Sequence, residues 1–233
     1  MNSNIKLSRR LAAAAEFVRE GSFVADIGTD HAYLPIYLCE SGRIRGAVAS
    51  DVNRGPAERA KAHVAAYGLS EKISVCLCDG LDGLESYAPE DICILGMGGE
   101  LIVSLLSRVP WLKTEGKRLI LQPMTHPEAV RSYLLDDGFS IVDEVLVEDD
   151  KIYQIICAEY TGGDDQYPRG QADLCFGAKN ISRGGELLRA HLLHWIDILT
   201  QRIDGKRRGG KDDTSYEESL LEEINRILKE NEK

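Results

Sequence analysis

Apolar and polar residues alternate along the first two thirds of the chain in blocks that predict strands and helices in turn. Short apolar runs predict strands near residues 23–28, 46–51, 73–78, 91–96 and 118–122. Apolar residues at helical spacing predict helices over Leu7 to Glu20 and over residues 55–67, 100–108 and 127–137. Because strands and helices alternate, we predict an α/β fold with a doubly wound, mostly parallel sheet.

The pattern changes after the last of these helices. Two further β runs, Phe139 to Val147 and Ile152 to Tyr160, are joined by four polar residues and predict an antiparallel hairpin. A parallel sheet that ends in an antiparallel hairpin is typical of the Rossmann-like class I methyltransferases rather than of NAD-linked dehydrogenases.

The C-terminal part follows a different pattern. Thr161 to Ile181 is rich in Gly, Asp and Pro and predicts a linker. Beyond it, two helical seams flank a polar, glycine-rich break at Asp204 to Asp213, and Thr214 with Glu217 predicts a capping box for the second helix. The seams are Leu188, Leu192, Trp195 and Leu199, then Leu220 or Leu221, Ile224 and Leu228. They predict a coiled-coil-like antiparallel helical hairpin, although packing onto the main domain explains them equally well. We therefore divide the chain into a main domain, 1–160, and a linker with a helical hairpin, 161–233.

The segment from Val24 to Pro35 places polar residues where the first strand ends. Asp26 lies within the strand, Gly28 breaks it, and a polar loop leads into a helix. The next strand ends in Asp51, which Val52 follows. Such a strand–loop–helix corner, with an acid at the end of the neighbouring strand, binds adenosine-containing cofactors.

The corner lacks the glycines of a dinucleotide site. The fingerprint G-x-G-x-x-G, counted from Gly28, needs glycine where the chain has Asp30 and Tyr33. An acid two residues before the glycine and another at the end of the next strand fit S-adenosylmethionine (SAM) better than NAD. SAM is therefore the predicted cofactor, and a dehydrogenase is a distant alternative.

The first two strand ends suit different parts of SAM. Gly28 leaves room for the cofactor, and Asp26 is expected to hold the loop by accepting backbone N–H groups. Asp51, with Val52 beside it, is expected at the ribose hydroxyls, which one carboxylate can bridge. A solvated turn aspartate is the alternative for Asp51.

The third and fourth strands end in Asp79-Gly80 and in Gly96, which complete the predicted cofactor set. Asp79 stands where methyltransferases usually contact the adenine amino group, and Gly80 would let the ring approach. A simple turn explains this pair as well.

The turn from Gly96 to Gly99, which includes the candidate catalytic residue Met97, carries no polar side chain. Enzymes that methylate an exocyclic amine often have one here, to accept the protons of the amine. Adenine N1 needs no such acceptor, because its lone pair lies in the ring plane and is already available. Its attack requires alignment with the methyl group at roughly 3–3.5 Å and relief of the positive charge that develops on the base. The turn therefore favours a ring nitrogen, with a packing turn of no chemical role as the alternative.

The polar loop supplies the other candidate catalytic residues. Asp30 can pair with the amino group of SAM or offset charge on the base, although capping of the next helix is an alternative role. Tyr33 can stack on a flipped adenine. His31 can hydrogen-bond the base or a phosphate, or can serve the structure alone.

The net charge of −10 argues against a general nucleic-acid binder, whose affinity comes from neutralised phosphates. Basic residues are nevertheless grouped in two places, which we take as candidate RNA contacts, although solvated surfaces explain such runs too. They are Lys6, Arg9 and Arg10 beside the cofactor corner, and Lys206, Arg207, Arg208 and Lys211 at the hairpin tip.

The six cysteines form no C-x-x-C pair, and the five histidines have no ligand spacing. This pattern predicts buried thiols in a reducing compartment and no metal. We find neither a signal peptide nor an apolar run of membrane-spanning length. We expect a cytoplasmic protein without membrane contact, and we take a monomer as the working expectation.

Together these segments resemble the tRNA (adenine-22-N1)-methyltransferase family, TrmK, over nearly the whole chain. The resemblance rests on L-S-R-R-L from Leu7, D-I-G-T-D-H-A-Y-L-P from Asp26, G-M-G-G from Gly96, L-I-L-Q-P from Leu119 and E-D-D-K-I-Y from Glu148. It implies a SAM-binding Rossmann-like domain, a C-terminal helical hairpin and methylation of N1 of adenosine 22 in tRNA. The alternatives are a methyltransferase of the same fold that acts on a small molecule or a protein, and a non-catalytic adaptor that binds partners through the hairpin.

Overall fold

The computed structural model of the protein describes residues 5–163, 166–210 and 213–231. The chain forms two compact units, Met1–Tyr167 and Pro168–Lys233. Among the described helices, none combines the length and the apolarity needed to cross a membrane.

The first unit is built on one sheet, which has seven strands in the part of the chain that the structure describes. They are Phe23–Ile27 (β1), Gly46–Asp51 (β2), Ile73–Leu77 (β3), Asp91–Met97 (β4), Arg118–Pro123 (β5), Phe139–Glu148 (β6) and Ile152–Tyr160 (β7). Their order in the sheet is β3-β2-β1-β4-β5-β7-β6. Strands β1 to β5 are parallel, and β7 is antiparallel to both β5 and β6. The predicted doubly wound sheet with a terminal antiparallel hairpin is confirmed.

The first unit also contains the predicted helices. They are Arg9–Glu16 (α1), Tyr33–Glu40 (α2), Arg54–Ala66 (α3), Gly99–Ser107 (α4) and Pro127–Asp136 (α5). Helix α1 is shorter than predicted, because the chain after it is drawn to the sheet. The backbone N–H of Arg19 donates to the carboxylate of Asp91 at 2.7 Å, and its guanidinium pairs with the same carboxylate.

The central strands are apolar on both faces. Val24 and Ala25 of β1, like Ile92 and Cys93 of β4, are fully buried, and the members of each pair lie on opposite faces of the sheet. Parallel strands with this pattern are covered by helices on both sides, so that only the two edges formed by the strand ends remain accessible. The carboxyl ends of the strands form one of these edges.

A buried ionic cluster joins α5, the β6–β7 hairpin and the end of the first unit. Arg131 of α5 donates through Nε to Glu144 of β6 at 2.5 Å and through Nη2 to Gln154 of β7 at 2.7 Å. The hydroxyl of Tyr167 donates to the other oxygen of Glu144 at 2.8 Å. The side chains of Arg131 and Glu144 are both 0% exposed. The opposite charges and the hydrogen bonds together satisfy groups that would be costly to bury alone.

The second unit contains more helix than predicted. The predicted linker includes a π-helical turn, Asp173–Gly177, and a short helix, Ala178–Arg183 (α6). Helical turns form here despite a composition that predicts a linker, because Phe176 is fully buried and its ring contacts the rings of His191 and Trp195.

Two longer helices, Glu186–Arg208 (α7) and Ser215–Glu230 (α8), form the predicted hairpin. Lys206 near the end of α7 pairs with Glu217 near the start of α8, while Gly184 before α7 approaches Asn231 after α8. The two helices are therefore antiparallel.

The chain departs from the prediction at the junction of these helices. Helix α7 continues through Gly205 into the predicted break and ends at Arg208. The predicted capping box is wrong, since Thr214 makes no side-chain capping bond and its hydroxyl donates to Glu218 at 2.8 Å. Glu217, the expected partner, pairs with Lys206 across the hairpin.

Candidate active site

The carboxyl ends of four parallel strands meet at one edge of the sheet. Ile27 of β1 lies between Ser50 of β2 and Ile94 of β4, and Leu95 of β4 pairs with Gln122 of β5. The residues that follow these strands therefore come from four separate segments to one place. Doubly wound sheets bind their ligands at this edge.

Gly28 begins the loop after β1 with a φ of 75°, a conformation that favours glycine. A Cβ at this position would clash with the Cε of Met97, so this loop and the end of β4 are in close contact. The N–H groups of Gly28 and Thr29 donate to the carbonyl of Ser50 at 2.8 and 2.9 Å. The loop N–H groups are thus accepted by a carbonyl of the neighbouring strand. The sequence instead predicts the Asp26 carboxylate as their acceptor.

Asp26 lies in β1 two residues before Gly28 and is only 8% exposed. Burial raises the pKa of its carboxyl to about 6, against a smaller opposite effect of a hydrogen bond from Thr29. No cationic side chain of the described residues contributes to this shift. A buried carboxylate in such surroundings suits a ligand that brings its own positive charge.

Asp51 ends β2 and is also 8% exposed. One carboxylate oxygen accepts the N–H of Asn53 at 2.7 Å, which orients the group through its own turn. Val52, the residue between them, is 62% exposed and offers an apolar surface beside the carboxylate. The hydrogen bond to Asn53 is typical of a turn aspartate. The low exposure of Asp51, however, argues against the alternative that its carboxylate is merely solvated.

Asp79 and Gly80 follow β3 at the same end of the sheet. The Asp79 carboxylate is exposed and pairs with Arg108 at 3.0 Å, and the hydrogen bond from Arg108 lowers the pKa of Asp79. Gly80 has a φ of 61°, which favours glycine, and a Cβ there would clash with Leu105 of α4, so backbone conformation and packing account for this glycine. An adenine amino group at this position would donate to a carboxylate that already pairs with Arg108.

The turn after β4 packs tightly against the segment that follows β5. The N–H of Gly99 donates to the carbonyl of Thr125 at 2.8 Å, and a Cβ at Gly99 would clash with that carbonyl. Gly96 has a φ of 82°, while Met97 contacts the β1 loop through its Cε. Close packing against the segment after β5 explains why position 99 is a glycine. It does not explain Gly96 and Met97, which stay candidate site residues.

Asp30, in the polar loop, is exposed and forms an ion pair with Arg59 of α3. His31 Nε2 lies 3.3 Å from the other oxygen of the same carboxylate. The hydrogen bond from Arg59 lowers the pKa of Asp30, which keeps the group charged at neutral pH. Asp30 therefore does not cap α2, whose N-cap is Ala32. The N–H of Ala32 donates to the hydroxyl of Thr29 at 3.1 Å.

Arg10 reaches the same edge from α1. Its Nη1 donates to Oε1 of the fully buried Gln122 at 2.7 Å, and its guanidinium lies 5.4 Å from the centre of the Tyr153 ring. Within the described ranges no acidic side chain pairs with this guanidinium. It borders a cavity of about 230 Å³ whose other polar lining includes Asp26, Asp30, His31 and Tyr33.

The remaining candidate RNA contacts are distributed differently. Lys6 and Arg9 are exposed. In the second unit, Lys206 pairs with Glu217 at 2.8 Å and Arg207 with Glu218 at 2.7 Å, so only Arg208 lacks an acidic partner among the described side chains. Lys211 lies outside the described residues. Within the described ranges, no group of His, Cys, Asp and Glu side chains has the arrangement of a metal site.

Three residues at this edge were not singled out from the sequence. Arg59 pairs with Asp30, His63 lies against His31, and Gln122 holds Arg10. Gln122 had a signal, since it is the polar residue of the apolar run L-I-L-Q-P. The spacing of Arg59 and His63 places them on one face of a helix, but it does not say that this face meets the loop.

Comparison with known proteins agrees with this geometry. A family model described as a methyltransferase domain matches residues 7–156. The tRNA (adenine(22)-N(1))-methyltransferase of Bacillus subtilis (strain 168) is 39% identical over 166 residues, which cover 71% of this chain and 70% of the relative.

Two solved structures extend the likeness over both units. The B. subtilis m1A22 tRNA methyltransferase TrmK superposes with a TM-score of 0.80 at 32% identity, covering 98% of this chain and 99% of that one. The M. capricolum TrmK in complex with S-adenosyl-homocysteine (SAH), its natural cofactor product, superposes with a TM-score of 0.79 at 26% identity, covering 97% and 98%. On this evidence the chain belongs to the tRNA (adenine-22-N1)-methyltransferase family.

Proposed function

We propose that this chain transfers the methyl group of SAM to N1 of adenosine 22 in tRNA. The observation that carries the proposal is the pair of buried acids, Asp26 and Asp51, at the carboxyl ends of neighbouring strands beside an exposed polar loop. The acids suit SAM, and the loop offers a carboxylate and an aromatic ring to a base. The B. subtilis relative is named for this reaction, and the M. capricolum relative was solved with SAH.

The residues of the edge fit the parts of SAM. Asp51 would accept hydrogen bonds from the two ribose hydroxyls, with Val52 and Gly80 beside the adenine ring and Asp79 at its amino group. Asp26 would face the cationic amino group, because its buried carboxylate has no cationic partner among the described residues. Gly28 and Gly96 leave room where the chain passes closest to the cofactor. When bound, SAM supplies a sulfonium methyl group that is open to nucleophilic attack.

The sequence predicts Arg10 as an RNA contact, but its position in the structure suits the cofactor better. Its guanidinium borders the same cavity as Asp26 and is held by the buried amide of Gln122. We therefore assign it to the carboxylate of the methionine moiety, for which an arginine is a favourable partner. Lys6 and Arg9, which are exposed on the same segment, keep the role of candidate phosphate contacts.

The loop acts on the base. The N1 lone pair of adenine forms the new N–C bond while the C–S bond breaks and its electrons return to sulfur, so that the base becomes cationic. The Asp30 carboxylate, kept charged by Arg59, offsets this positive charge, an interaction that is strongest in the transition state. The turn at Met97 has no polar side chain to accept amine protons, which agrees with attack by a ring nitrogen. Tyr33 and His31 position the base.

Mapping the methylated nucleotide tests this proposal directly. The protein is incubated with bulk tRNA and SAM, and the modified position is located by reverse transcription, which stops at an adenine methylated on N1 because pairing is blocked. We expect a stop at position 22, and a much weaker one with Asp30→Asn at equal time. A stop at another position, or methyl incorporation without any stop, would contradict the proposal.

The raised pKa of Asp26 predicts how SAM affinity depends on pH. Below pH 6 the carboxyl of the free protein is mostly protonated and neutral, and above pH 6 it is mostly charged. Because the cationic amino group favours the charged form, we expect SAM affinity to rise between pH 5 and pH 7 and then to level off. If only the charged form binds, affinity changes by roughly tenfold per pH unit below the pKa.

Titration calorimetry from pH 5 to pH 8 measures this dependence. Asp26→Asn is the matched control, since it keeps the shape of the side chain and cannot ionise. We expect a weaker and nearly pH-independent affinity from it. An equal pH dependence in both proteins would show that another group is responsible.

The basic residues at the end of α7 predict a salt-dependent contact with tRNA. Replacing Lys206, Arg207 and Arg208 by alanine should weaken tRNA binding and flatten its dependence on salt, because fewer counterions are released. Since Lys206 and Arg207 are paired with glutamates, we expect Arg208→Ala alone to account for most of the change. Filter binding at several salt concentrations measures the slope, with Arg9→Ala compared in parallel. If the slope of the triple variant is unaltered, the end of α7 does not contact the tRNA phosphates, and this role would pass to Lys6 and Arg9.

We further propose that the enzyme works as a monomer in the cytoplasm. All residues assigned to SAM come from one chain, and tRNA is a cytoplasmic substrate. The division into a SAM-binding domain, 1–160, and a helical hairpin preceded by a linker, 161–233, is kept as the functional division.

A further inference from the structure

Helix α3 supports the polar loop through two residues that are one helical turn apart. Arg59 pairs with Asp30, and His63 contacts the next loop residue, His31. The Nδ1 of His63 lies 3.3 Å from the carbonyl oxygen of His31, within reach of an N–H donated to that carbonyl. The loop is thus held by the β2 strand on one side and by α3 on the other.

His63 also completes a cluster of three rings. The ring of His31 is stacked on that of Tyr33, with centroids 5.1 Å apart and planes inclined by 12°. His63 stacks on His31 at 5.0 Å and lies 5.6 Å from Tyr33. Each ring therefore contacts the other two, at separations typical of favourable aromatic pairs.

The loop needs such support to keep its shape. Ala32, between His31 and Tyr33, has a φ of 55°, in the left-handed region that is unfavourable for a residue other than glycine. A strained residue of this kind persists only where its surroundings hold it. Without the ring of His63, the rings of His31 and Tyr33 would lose one of their packing partners.

Tyr33 is the member of the cluster that is open to a ligand. It is 42% exposed and borders the cavity that Asp30 and Asp26 also line. A purine stacked on Tyr33 would therefore lie near the carboxylate that offsets its charge.

We propose that His63 is a positioning residue for the target adenine, because it completes with His31 and Tyr33 a three-ring platform on which the base stacks. His63 acts through the other two rings and does not itself contact the reacting atoms. The inference rests on the proposed function, and it deepens that function by naming the residue that sets the orientation of the base.

Two variants separate the ring of His63 from its hydrogen bond. His63→Gln keeps an N–H donor for the His31 carbonyl and loses the ring, whereas His63→Phe keeps a ring and loses the donor. Tyr67→Ala is the matched control, since it removes a ring one turn further along, next to the end of the same helix. Single-turnover methylation with saturating tRNA and SAM gives the rate of the chemical step, and the dissociation constants of both substrates are measured alongside.

We expect His63→Gln to slow methyl transfer about three- to tenfold, the range of one aromatic contact. SAM affinity should change less than twofold, and His63→Phe and Tyr67→Ala should remain close to the wild-type rate. A normal rate for His63→Gln, an equal loss in His63→Phe, or a parallel loss of SAM affinity in His63→Gln would each overturn the inference. These outcomes presuppose that the wild-type protein methylates position 22. Failure of that reaction would refute the proposed function itself, so the two failures are distinguishable.

Discussion

Replacing Glu144 by alanine is expected to lower the free energy of unfolding of the first unit by about 3–5 kcal/mol. The side chains of Glu144 and Arg131 are both fully buried, and the substitution removes the carboxylate with which the guanidinium pairs. It also removes the acceptor of the Tyr167 hydroxyl. Removing one member of a buried ion pair costs more than the pair itself contributes to stability.

Urea denaturation measures this loss. In a Trp195→Phe background Trp111 is the one remaining tryptophan of the chain, so its fluorescence reports on the first unit. Glu159→Ala is the matched control, because Glu159 pairs with Arg118 on the same sheet at 2.5 Å but is partly exposed. We expect the control to cost at most about 1 kcal/mol. Replacing the buried pair as a whole, with Arg131→Met and Glu144→Leu, should recover much of the loss. Equal losses in Glu144→Ala and Glu159→Ala would contradict this account.

Asp51→Ala is expected to weaken SAM binding at least tenfold. Hydrogen bonds to a charged acceptor contribute roughly 1.5–3 kcal/mol, and each 1.4 kcal/mol corresponds to about a factor of ten in the dissociation constant. The exposed Val52 would remain to contact the adenosine, so binding should be weakened rather than abolished. Calorimetry with SAM and with SAH should show a similar loss, because both carry the same ribose.

Two further variants make this test specific. Asp51→Asn keeps an oxygen for the N–H of Asn53 but loses the charge, so we expect an intermediate affinity. Asp82→Ala removes an exposed acid in the turn after β3 and should bind SAM as the wild type does. The unfolding temperature of the cofactor-free Asp51→Asn protein should stay close to that of the wild type. An unchanged dissociation constant in Asp51→Ala would remove this residue from the cofactor site.

Much of the sheet could be predicted because the signals are local. Each of the first four strands is a short apolar run that ends at a glycine or an acid, and polar loops or helices with apolar faces separate these runs. In a parallel sheet all carboxyl ends lie at one edge, so the alternation alone brings Gly28, Asp51, Asp79 and Gly96 to the same end of the sheet.

The errors of prediction arose where distant packing decides the local structure. The predicted linker contains helical turns because Phe176 is buried against His191 and Trp195. The composition around Phe176, rich in glycine and aspartate, gave no indication of this contact. The capping box at Thr214 does not form because Glu217 finds a stronger partner in Lys206, which belongs to the preceding helix.

The sequence by itself determined the fold class, the edge of the sheet that carries the site, and the choice of SAM over NAD, since each depends on the order of residues along single strands and loops. Only the tertiary structure decided which side chains meet there. Asp30 pairs with Arg59, and Arg10 with Gln122, across 29 and 112 residues of chain. Side chains so far apart are brought together by the register of the strands and the orientation of α1 and α3 on the sheet. The energy that selects these pairs comes from the burial of the whole core, which no local pattern contains.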